Sequence, residues 1–384
     1  MRTVLVGIVA ADIALAPLTA SAAADPSWEQ WQTVAGVFDF GGPRSDGSLL
    51  VAGSPNLYLA DPAGNLAPFA SGPGGYHPAP GAEAYVAVSP GLHVGAAGCD
   101  FIQDETFVLR LQPPFGIDRL AATGENAGSF ATVSGVTSLN GIAFDSTGAF
   151  DHRLLASGGS GGKTVIAAVD CRGTVQPITS SAPALEGGLA VAPLGFGVFG
   201  GDLIAPDEVG GSIYAIAPDG KLATILKPSL PTGGDIGVES LGFVPTGLLR
   251  GGMVYYADRK TQGNPHPGTD SVLRLPSSDL VAAGVQEGDL LVATEGGAAL
   301  IAVHCADSCR EIPVVSAPTT AHGEGHIVFT INKIAPSPTP SAKASPKPVA
   351  QPASSSPNVG ILALAIAAGV VVSAIRFFLR RRRR

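Results

Sequence analysis

The sequence predicts an all-β fold, a β-propeller of six blades, followed by a disordered stalk and one transmembrane helix. Three observations favour the propeller. Short apolar runs separated by Gly, Pro, Asn and Asp recur along most of the 384 residues, as in proteins with many short strands and tight turns. A strand pattern repeats at intervals of 47 and 52 residues. The roughly 310 residues between the two ends of the chain suffice for one ring of blades.

The repeat is defined by its inner strands. Apolar inner strands begin at Ile142, Leu189 and Leu241. In each copy a second strand and an alternating third strand follow, and the next turn often reads Asp-x-x-Gly. We assign the strands at 252–258 and 271–275 to the copy that opens at Leu241. An array of two-sheet sandwiches is the alternative, and the turn pattern favours blades.

Three fainter copies, at residues 49–69, 84–111 and 289–315, bring the count to six. A further strand at 326–331 is expected to close the ring against the N-terminal segment at 31–40. Closure from both ends of the domain protects the edge strands of a sheet.

The N-terminus predicts a secretory signal peptide over residues 1–22. Arg2 precedes an apolar stretch from residue 4 to residue 18, and Ala20-Ser21-Ala22 supplies the small residues of a cleavage site. An N-terminal transmembrane helix is the alternative, but the stretch is short for a bilayer span.

The C-terminus predicts a transmembrane helix over residues 358–379. Residues 359–375 carry no charge, and the helix would span about 31 Å, the thickness of the hydrocarbon core. Five arginines follow at 380–384 and are expected to stay in the cytoplasm. A processed sorting tail is the alternative, and the lack of an LPxTG-type signal favours a retained anchor.

Residues 335–357 form the predicted stalk, because seven prolines and six serines in 23 residues cannot build a core. The propeller domain is therefore expected at 23–334. The predicted location is the cell membrane, with a single pass, an extracellular N-terminal domain and a cytoplasmic C-terminus.

The charge of the predicted external part argues against one class of partner. Without residues 1–22 and 359–384, the chain has 16 Lys plus Arg against 30 Asp plus Glu, a net charge of −14. Nucleic acid binding requires a basic face, so we expect no nucleic acid partner. An acidic surface is compatible with cation binding.

The four cysteines predict disulfides, since an even number in an exported chain favours pairing. Cys305 and Cys309 are expected to close a small loop, which leaves Cys99 with Cys171, and two other connectivities stay open. A zinc site formed by His304, Cys305 and Cys309 is the alternative.

Acidic residues precede several predicted inner strands, at Glu83, Glu186 and Glu239. Starts of inner strands lie at one mouth of a propeller channel, so these carboxylates are expected to converge there with Asn140. Such oxygen donors suit Ca²⁺, whereas ordinary turn carboxylates are the alternative.

A second set of metal-binding candidates comprises His322, Glu324 and His326. On a strand, alternate residues face one side, so the three side chains would lie together and suit a transition metal such as Zn²⁺. The flanking glycines allow the alternative of a turn with exposed histidines.

Three segments, at residues 140–145, 213–220 and 239–243, resemble six-bladed propellers of the NHL and SMP-30/gluconolactonase type. The resemblance implies a divalent metal held in the channel by one Glu, two Asn and one Asp. Asn140 matches one of the Asn positions, and Glu186 or Glu239 matches the Glu by position. No Asp-Gly-(Ile/Leu) inner strand stands where the family has its catalytic Asp.

Two functions follow as hypotheses, and a purely structural envelope protein is a third possibility. The first is a membrane-anchored binding or interaction module at the cell surface, with a cell-wall, carbohydrate or protein ligand. The second is a metal-dependent hydrolase of the lactonase or esterase type, with Asn140, Glu186 and Glu239 as ligands of Ca²⁺ or Zn²⁺. A propeller hosts either function, so the fold does not decide between them.

Overall fold

The computed structural model describes residues 25–77, 82–83, 85–316 and 319–332. The predicted signal peptide (1–22), stalk (335–357), transmembrane helix (358–379) and arginine tail (380–384) lie outside these residues. Among the described residues, no helix is long and apolar enough to cross a bilayer.

The described residues form six four-stranded antiparallel sheets, which we call blades 1 to 6 in ring order. From the innermost strand outward, blade 1 comprises β2 (Asp39–Gly41), β3 (Leu49–Ala52), β4 (Leu57–Ala60) and β5 (Leu66–Phe69). Blade 2 comprises β6 (Val86–Val88), β9 (Thr106–Arg110), β10 (Gly116–Leu120) and β11 (Gly128–Thr132). Blade 3 comprises β12 (Gly141–Phe144), β13 (Leu154–Ser160), β14 (Lys163–Val169) and β15 (Val175–Ala182).

The remaining blades follow the same order. Blade 4 comprises β16 (Ala190–Val191), β17 (Leu203–Asp207), β18 (Ser212–Ile216) and β19 (Leu222–Leu226). Blade 5 comprises β20 (Val238–Phe243), β23 (Leu290–Thr294), β24 (Leu300–Cys305) and β25 (Cys309–Val315). Blade 6 comprises β26 (Gly323–Ile331), β21 (Gly252–Asp258), β22 (Ser271–Pro276) and β1 (Glu29–Thr33).

Four short elements lie outside the blades. The hairpin of β7 (His93–Val94) and β8 (Cys99–Asp100) is inserted in blade 2. One short helix, α1 (Ser277–Ala283), follows β22, and two 3₁₀ turns occur at Gly197–Phe199 and Leu248–Arg250.

The six innermost strands form a closed ring. Contacts join β2, β6, β12, β16, β20 and β26 in that order, and β26 contacts β2 again. The described part of the chain is therefore a six-bladed propeller, and that part of the predicted fold is confirmed. Blade 6 takes its innermost strand from the C-terminal side and its outermost strand from the N-terminal side, so both ends of the domain close the ring as expected.

One predicted grouping is wrong. The strands at 252–258 and 271–275 do not share a sheet with the inner strand near Leu241, which pairs with β23 instead. They form the middle of blade 6, between β26 and β1. β21 and β23 both consist largely of buried apolar residues, so an apolar pattern cannot decide which of them joins the inner strand near Leu241.

Four turns between third and fourth strands share one geometry that explains the Asp-x-x-Gly signature. A glycine with positive φ ends each turn: Gly64 (91°), Gly124 (84°), Gly173 (81°) and Gly220 (82°). In two of them an aspartate side chain, Asp61 or Asp170, accepts hydrogen bonds from backbone N–H groups further along the turn. The signature therefore marks a local backbone requirement for αL geometry.

The two disulfides are those expected, Cys99 with Cys171 and Cys305 with Cys309. The first joins the inserted hairpin of blade 2 to the β14–β15 turn of blade 3. The second closes the turn between β24 and β25. His304 pairs with Asp289 (2.7 Å) and both neighbouring sulfurs are in a disulfide, so the alternative zinc site is wrong.

Candidate functional site

The two mouths of the channel differ in chemistry. Innermost strands begin at one mouth and second strands return to it, and a cavity of about 670 Å³ opens there. We call this the acidic mouth, because its described lining contains the following seven carboxylates: Glu83, Glu186, Glu208, Asp235, Glu239, Glu295 and Glu324. The opposite mouth is a cavity of about 250 Å³ lined largely by apolar side chains of the inner strands, including Phe40, Phe144 and Phe329.

The four residues predicted to converge all line the acidic mouth: Glu83, Asn140, Glu186 and Glu239. Backbone hydrogen bonds hold the strand starts together, from Gly187 N–H to the Asn140 carbonyl (3.1 Å) and from Gly188 N–H to the Glu239 carbonyl (3.0 Å). Gly187 has φ of 95°, and a Cβ there would lie 2.0 Å from the Glu239 carbonyl oxygen. The backbones of neighbouring inner-strand starts therefore approach each other closely at Gly187, a position that only glycine fits.

Three lining residues were not among the residues predicted from the sequence. Glu208, Arg259 and Glu295 directly follow the second strands of blades 4, 6 and 5, respectively. Second strands run back toward the mouth, so the residue after each one arrives beside the inner-strand starts. The position directly after a predicted second strand is therefore the sequence feature that could have identified these three residues.

Glu295, His322 and Glu324 form the most compact group of ionisable side chains in the mouth. His322 Nε2 lies 2.9 Å from Glu295 Oε1 and 3.4 Å from Glu324 Oε1. One potential ligand atom from each residue lies within 4.8 Å of the other two. His322 is only 2% exposed, so the alternative of exposed histidines in this segment is wrong.

Burial and ion pairing have opposite effects on the pKa values of His322 and Glu295. Burial would lower the pKa of His322, but hydrogen bonds and charges from Glu295 and Glu324 outweigh it and raise the pKa to about 9. Burial would raise the pKa of Glu295, but the hydrogen bonds from His322 and Glu208 hold it below its usual value. The protonated imidazole of His322 therefore supplies the positive charge that pairs with Glu295.

In three other mouth carboxylates the effect of burial outweighs any positive partner. Burial and the neighbouring Glu295 raise the pKa of Glu208 to about 9. Burial raises the pKa of Glu324 to about 7, despite the hydrogen bond from His322. Burial, together with Glu83 and Glu295, also raises the pKa of Glu186. The mouth thus holds more carboxylates than its cations neutralise.

Arg259 supplies a permanent positive charge in the mouth. Its guanidinium pairs with Glu83 and lies 3.5 Å from Glu324 Oε1. It also lies over the Phe38 ring, 5.5 Å from the centroid. The charge of Arg259 is therefore already engaged, and Lys260 is the second permanent cation among the described lining residues.

Glu239 is one of the buried residues of the mouth. Its side chain is buried, and Tyr85 Oη donates a hydrogen bond of 2.6 Å to Glu239 Oε1. Burial and the nearby Glu324 raise the pKa of Glu239 well above its usual value, and burial raises that of Tyr85 as well. Tyr85 and Glu239 thus form a buried, hydrogen-bonded part of the cavity lining.

His326 does not share a site with His322 and Glu324. Four residues along a strand advance by about 13 Å, so His326 lies further down the channel. There its Nδ1 lies 2.8 Å from Asp39 Oδ1, and its ring lies edge-on to Tyr85 at 5.9 Å. Burial would lower the pKa of His326, but the Asp39 carboxylate outweighs it and raises it. His326 lines the cavity at the opposite mouth, not the acidic mouth.

The raised pKa values predict that alkaline pH destabilises the metal-free chain. Glu208 titrates at about 9 in the folded state against 4.5 normally, and His322 at about 9 against 6.5. Both groups bind a proton more tightly when folded, so their contribution is lost as pH rises through about 9. We expect the Tm in chelator to be lower at about pH 9 than at about pH 6 by about 3 °C or more.

Circular dichroism melts of the chain and of Glu208→Gln test this expectation. The glutamine variant keeps the side-chain volume and removes one titrating group, so its Tm should change less with pH. A Tm that rises from pH 6 to pH 9 contradicts the assigned protonation states.

Comparisons with known proteins found distant structural likenesses and no sequence match. No protein-family model matches the chain, and no curated protein matches it in sequence. Virginiamycin B lyase from Staphylococcus aureus is 11% identical over 79% of this chain and 96% of that chain, with a TM-score of 0.41. A putative gluconolactonase is 13% identical over 66% of this chain and 92% of that chain, with a TM-score of 0.34.

A third similar structure is a putative oxidoreductase (glucose dehydrogenase) from Thermus thermophilus. It is 15% identical over 65% of this chain and 99% of that chain, with a TM-score of 0.36. At these values the likenesses carry no argument about activity. The chain is a six-bladed β-propeller, the fold that the NHL and SMP-30/gluconolactonase resemblance implied, and that statement rests on its own sheets.

Proposed function

We propose that the chain is a membrane-anchored binding module at the cell surface, whose acidic mouth takes up a small, positively charged ligand. One observation carries the proposal. Seven carboxylates line the described part of the mouth, against two permanent cations, Arg259 and Lys260. The cavity of about 670 Å³ lies within the usual size range of small-molecule sites.

The protonation of the mouth supports a cationic ligand. Burial, together with the neighbouring Glu295, raises the pKa values of Glu208 and Glu324, so both carboxyl groups bind protons more readily than usual. A cation in the cavity would supply the missing charge and release those protons. A neutral sugar would leave the charge uncompensated.

The anchoring part of the proposal is supported by the ends of the chain and by its cysteines. The apolar run at 359–375 with the arginines at 380–384 fits a single-pass anchor, and residues 1–22 fit a signal peptide. All four cysteines are paired, as expected of a domain in an oxidising compartment.

The proposal does not extend to lactone or ester hydrolysis. Asn140, Glu186 and Glu239 line one mouth, but the Glu239 carboxylate is buried and already bonded to Tyr85. The sequence also lacks the Asp-Gly inner strand of the lactonase type. The lining therefore supports binding more directly than catalysis.

Calorimetric titration of the full chain with spermidine, at low and at high salt, tests the proposal. We expect saturable binding that weakens with salt. Glu186→Gln, at a lining position of the mouth, should weaken binding by about tenfold through loss of one charge. Asp307→Asn, in the exposed β24–β25 turn outside the mouth lining, is the matched control and should bind as the parent does.

Two outcomes count against the proposal. One is the absence of spermidine binding at low salt. The other is equal weakening by Glu186→Gln and Asp307→Asn, because a general effect of net charge would explain it without the mouth.

A further inference from the structure

We infer that Glu295, His322 and Glu324 form a binding site for one divalent transition-metal ion in the acidic mouth. The inference rests on the proposed function, since it names one cation that the mouth takes and the residues that take it. It differs from the oxygen-only set of Asn140, Glu186 and Glu239 that the sequence suggests. The donors are one imidazole nitrogen and two carboxylates.

The spacing of the donors fits a metal ion. Ligand atoms about 2.0–2.2 Å from a common ion lie roughly 3 to 3.5 Å apart. The two distances from His322 Nε2, 2.9 and 3.4 Å, lie close to this range, and the two carboxylate oxygens lie within 4.8 Å of each other. An ion that replaced the proton between His322 and the two carboxylates would need only small side-chain shifts.

Backbone hydrogen bonds hold the three residues in place without an ion. Gly323 N–H donates to the Glu295 carbonyl (2.7 Å), which joins the end of β23 to the start of β26. Glu295 N–H donates to the Gly237 carbonyl (2.8 Å), and His322 N–H donates to Asp258 Oδ1 (2.8 Å). Blades 5 and 6 together therefore position the backbones of the three residues. An ion would not need to order these segments when it binds.

A second observation points to an absent ligand beside this group. Glu208 lies next to Glu295 in the same cavity, and its Oε1 is buried with no hydrogen-bond partner among the described residues. Unpaired buried polar atoms are rare in native proteins, so this one indicates a group that the protein atoms do not supply. His322 Nδ1 is also buried without a described partner, but it lies on the side of the ring away from Nε2 and carries no information about the ion.

The donor types select the class of metal. Imidazole suits Zn²⁺ and other late first-row ions, whereas Ca²⁺ takes six to eight oxygens. Two carboxylates with one imidazole also suit Mn²⁺. We therefore expect Zn²⁺ or Mn²⁺ to bind and Ca²⁺ to bind much more weakly.

The test is a calorimetric titration of the tag-free, chelator-treated full chain with Zn²⁺, Mn²⁺ and Ca²⁺ separately. One Zn²⁺ per chain is expected, and Glu295→Gln and His322→Ala should each weaken Zn²⁺ binding by about 100-fold or more. Glu295→Gln preserves volume and keeps the test valid if His322→Ala does not fold. Circular dichroism confirms the fold of each variant.

The matched control is His93→Ala, which removes the histidine of an exposed histidine–aspartate pair elsewhere. Its Zn²⁺ affinity should equal that of the parent chain. Absence of Zn²⁺ and Mn²⁺ binding by the folded chain overturns the inference, and so does equal loss in His93→Ala and His322→Ala.

The two proposals fail separately in these experiments. Spermidine binding without Zn²⁺ or Mn²⁺ binding leaves the acidic mouth as a cation site and removes the metal. Metal binding without spermidine binding keeps the metal site and removes the organic cation. If neither probe binds, both proposals are wrong.

Discussion

Replacing Asp39 with alanine is expected to lower the free energy of unfolding by about 3–5 kcal/mol, because removing one partner of a buried ion pair usually costs this much. Asp39 is fully buried. Its carboxylate accepts hydrogen bonds from His326 N–H (2.7 Å) and Val86 N–H (2.7 Å), and it lies 2.8 Å from His326 Nδ1. One carboxylate therefore joins blade 1 to blades 2 and 6, where the ring closes.

The matched control is Asp100→Ala, which removes the aspartate of the His93–Asp100 pair. The two histidine–aspartate distances are similar, 2.7 and 2.8 Å, but the side chains of His93 and Asp100 are 60% and 70% exposed. Exposed pairs contribute little, so stability should hardly change. Urea unfolding of both variants measures the difference. Similar small losses in both contradict the role assigned to Asp39.

Removing the Cys99–Cys171 disulfide by a double serine substitution is expected to cost about 4 kcal/mol, because it frees a loop of 72 residues in the unfolded chain. Removing Cys305–Cys309, which are four residues apart, should cost about half as much, near 2 kcal/mol. The comparison is made by urea unfolding under non-reducing conditions. A larger loss from the short loop contradicts the loop-entropy argument.

Much of the propeller could be predicted from the sequence because each blade requires the same local chemistry. Apolar inner strands and turns that end in glycines such as Gly64 and Gly173 leave a visible period. The pairing of blades 5 and 6 could not be predicted this way. The inner strand near Leu241 pairs with β23 across about 50 intervening residues, and local patterns carry no information about that choice.

The candidate site was predictable in part for a related reason. Residues at inner-strand starts, such as Asn140 and Glu186, were found because the repeat fixes their position. Glu295 and Glu208 were missed, since they follow second strands whose ends the sequence marks weakly. His326 was grouped with His322 because alternation predicts the side of a strand but not the depth in the channel, where Asp39 meets it.

The proposed function requires a cation in the acidic mouth. A crystal structure of the full chain grown with spermidine tests this requirement. We expect ligand density in the acidic mouth, with amine nitrogens within hydrogen-bond distance of carboxylates such as Glu186 and Glu208. Spermidine bound only at another surface, with the acidic mouth left empty at saturating concentration, would contradict it.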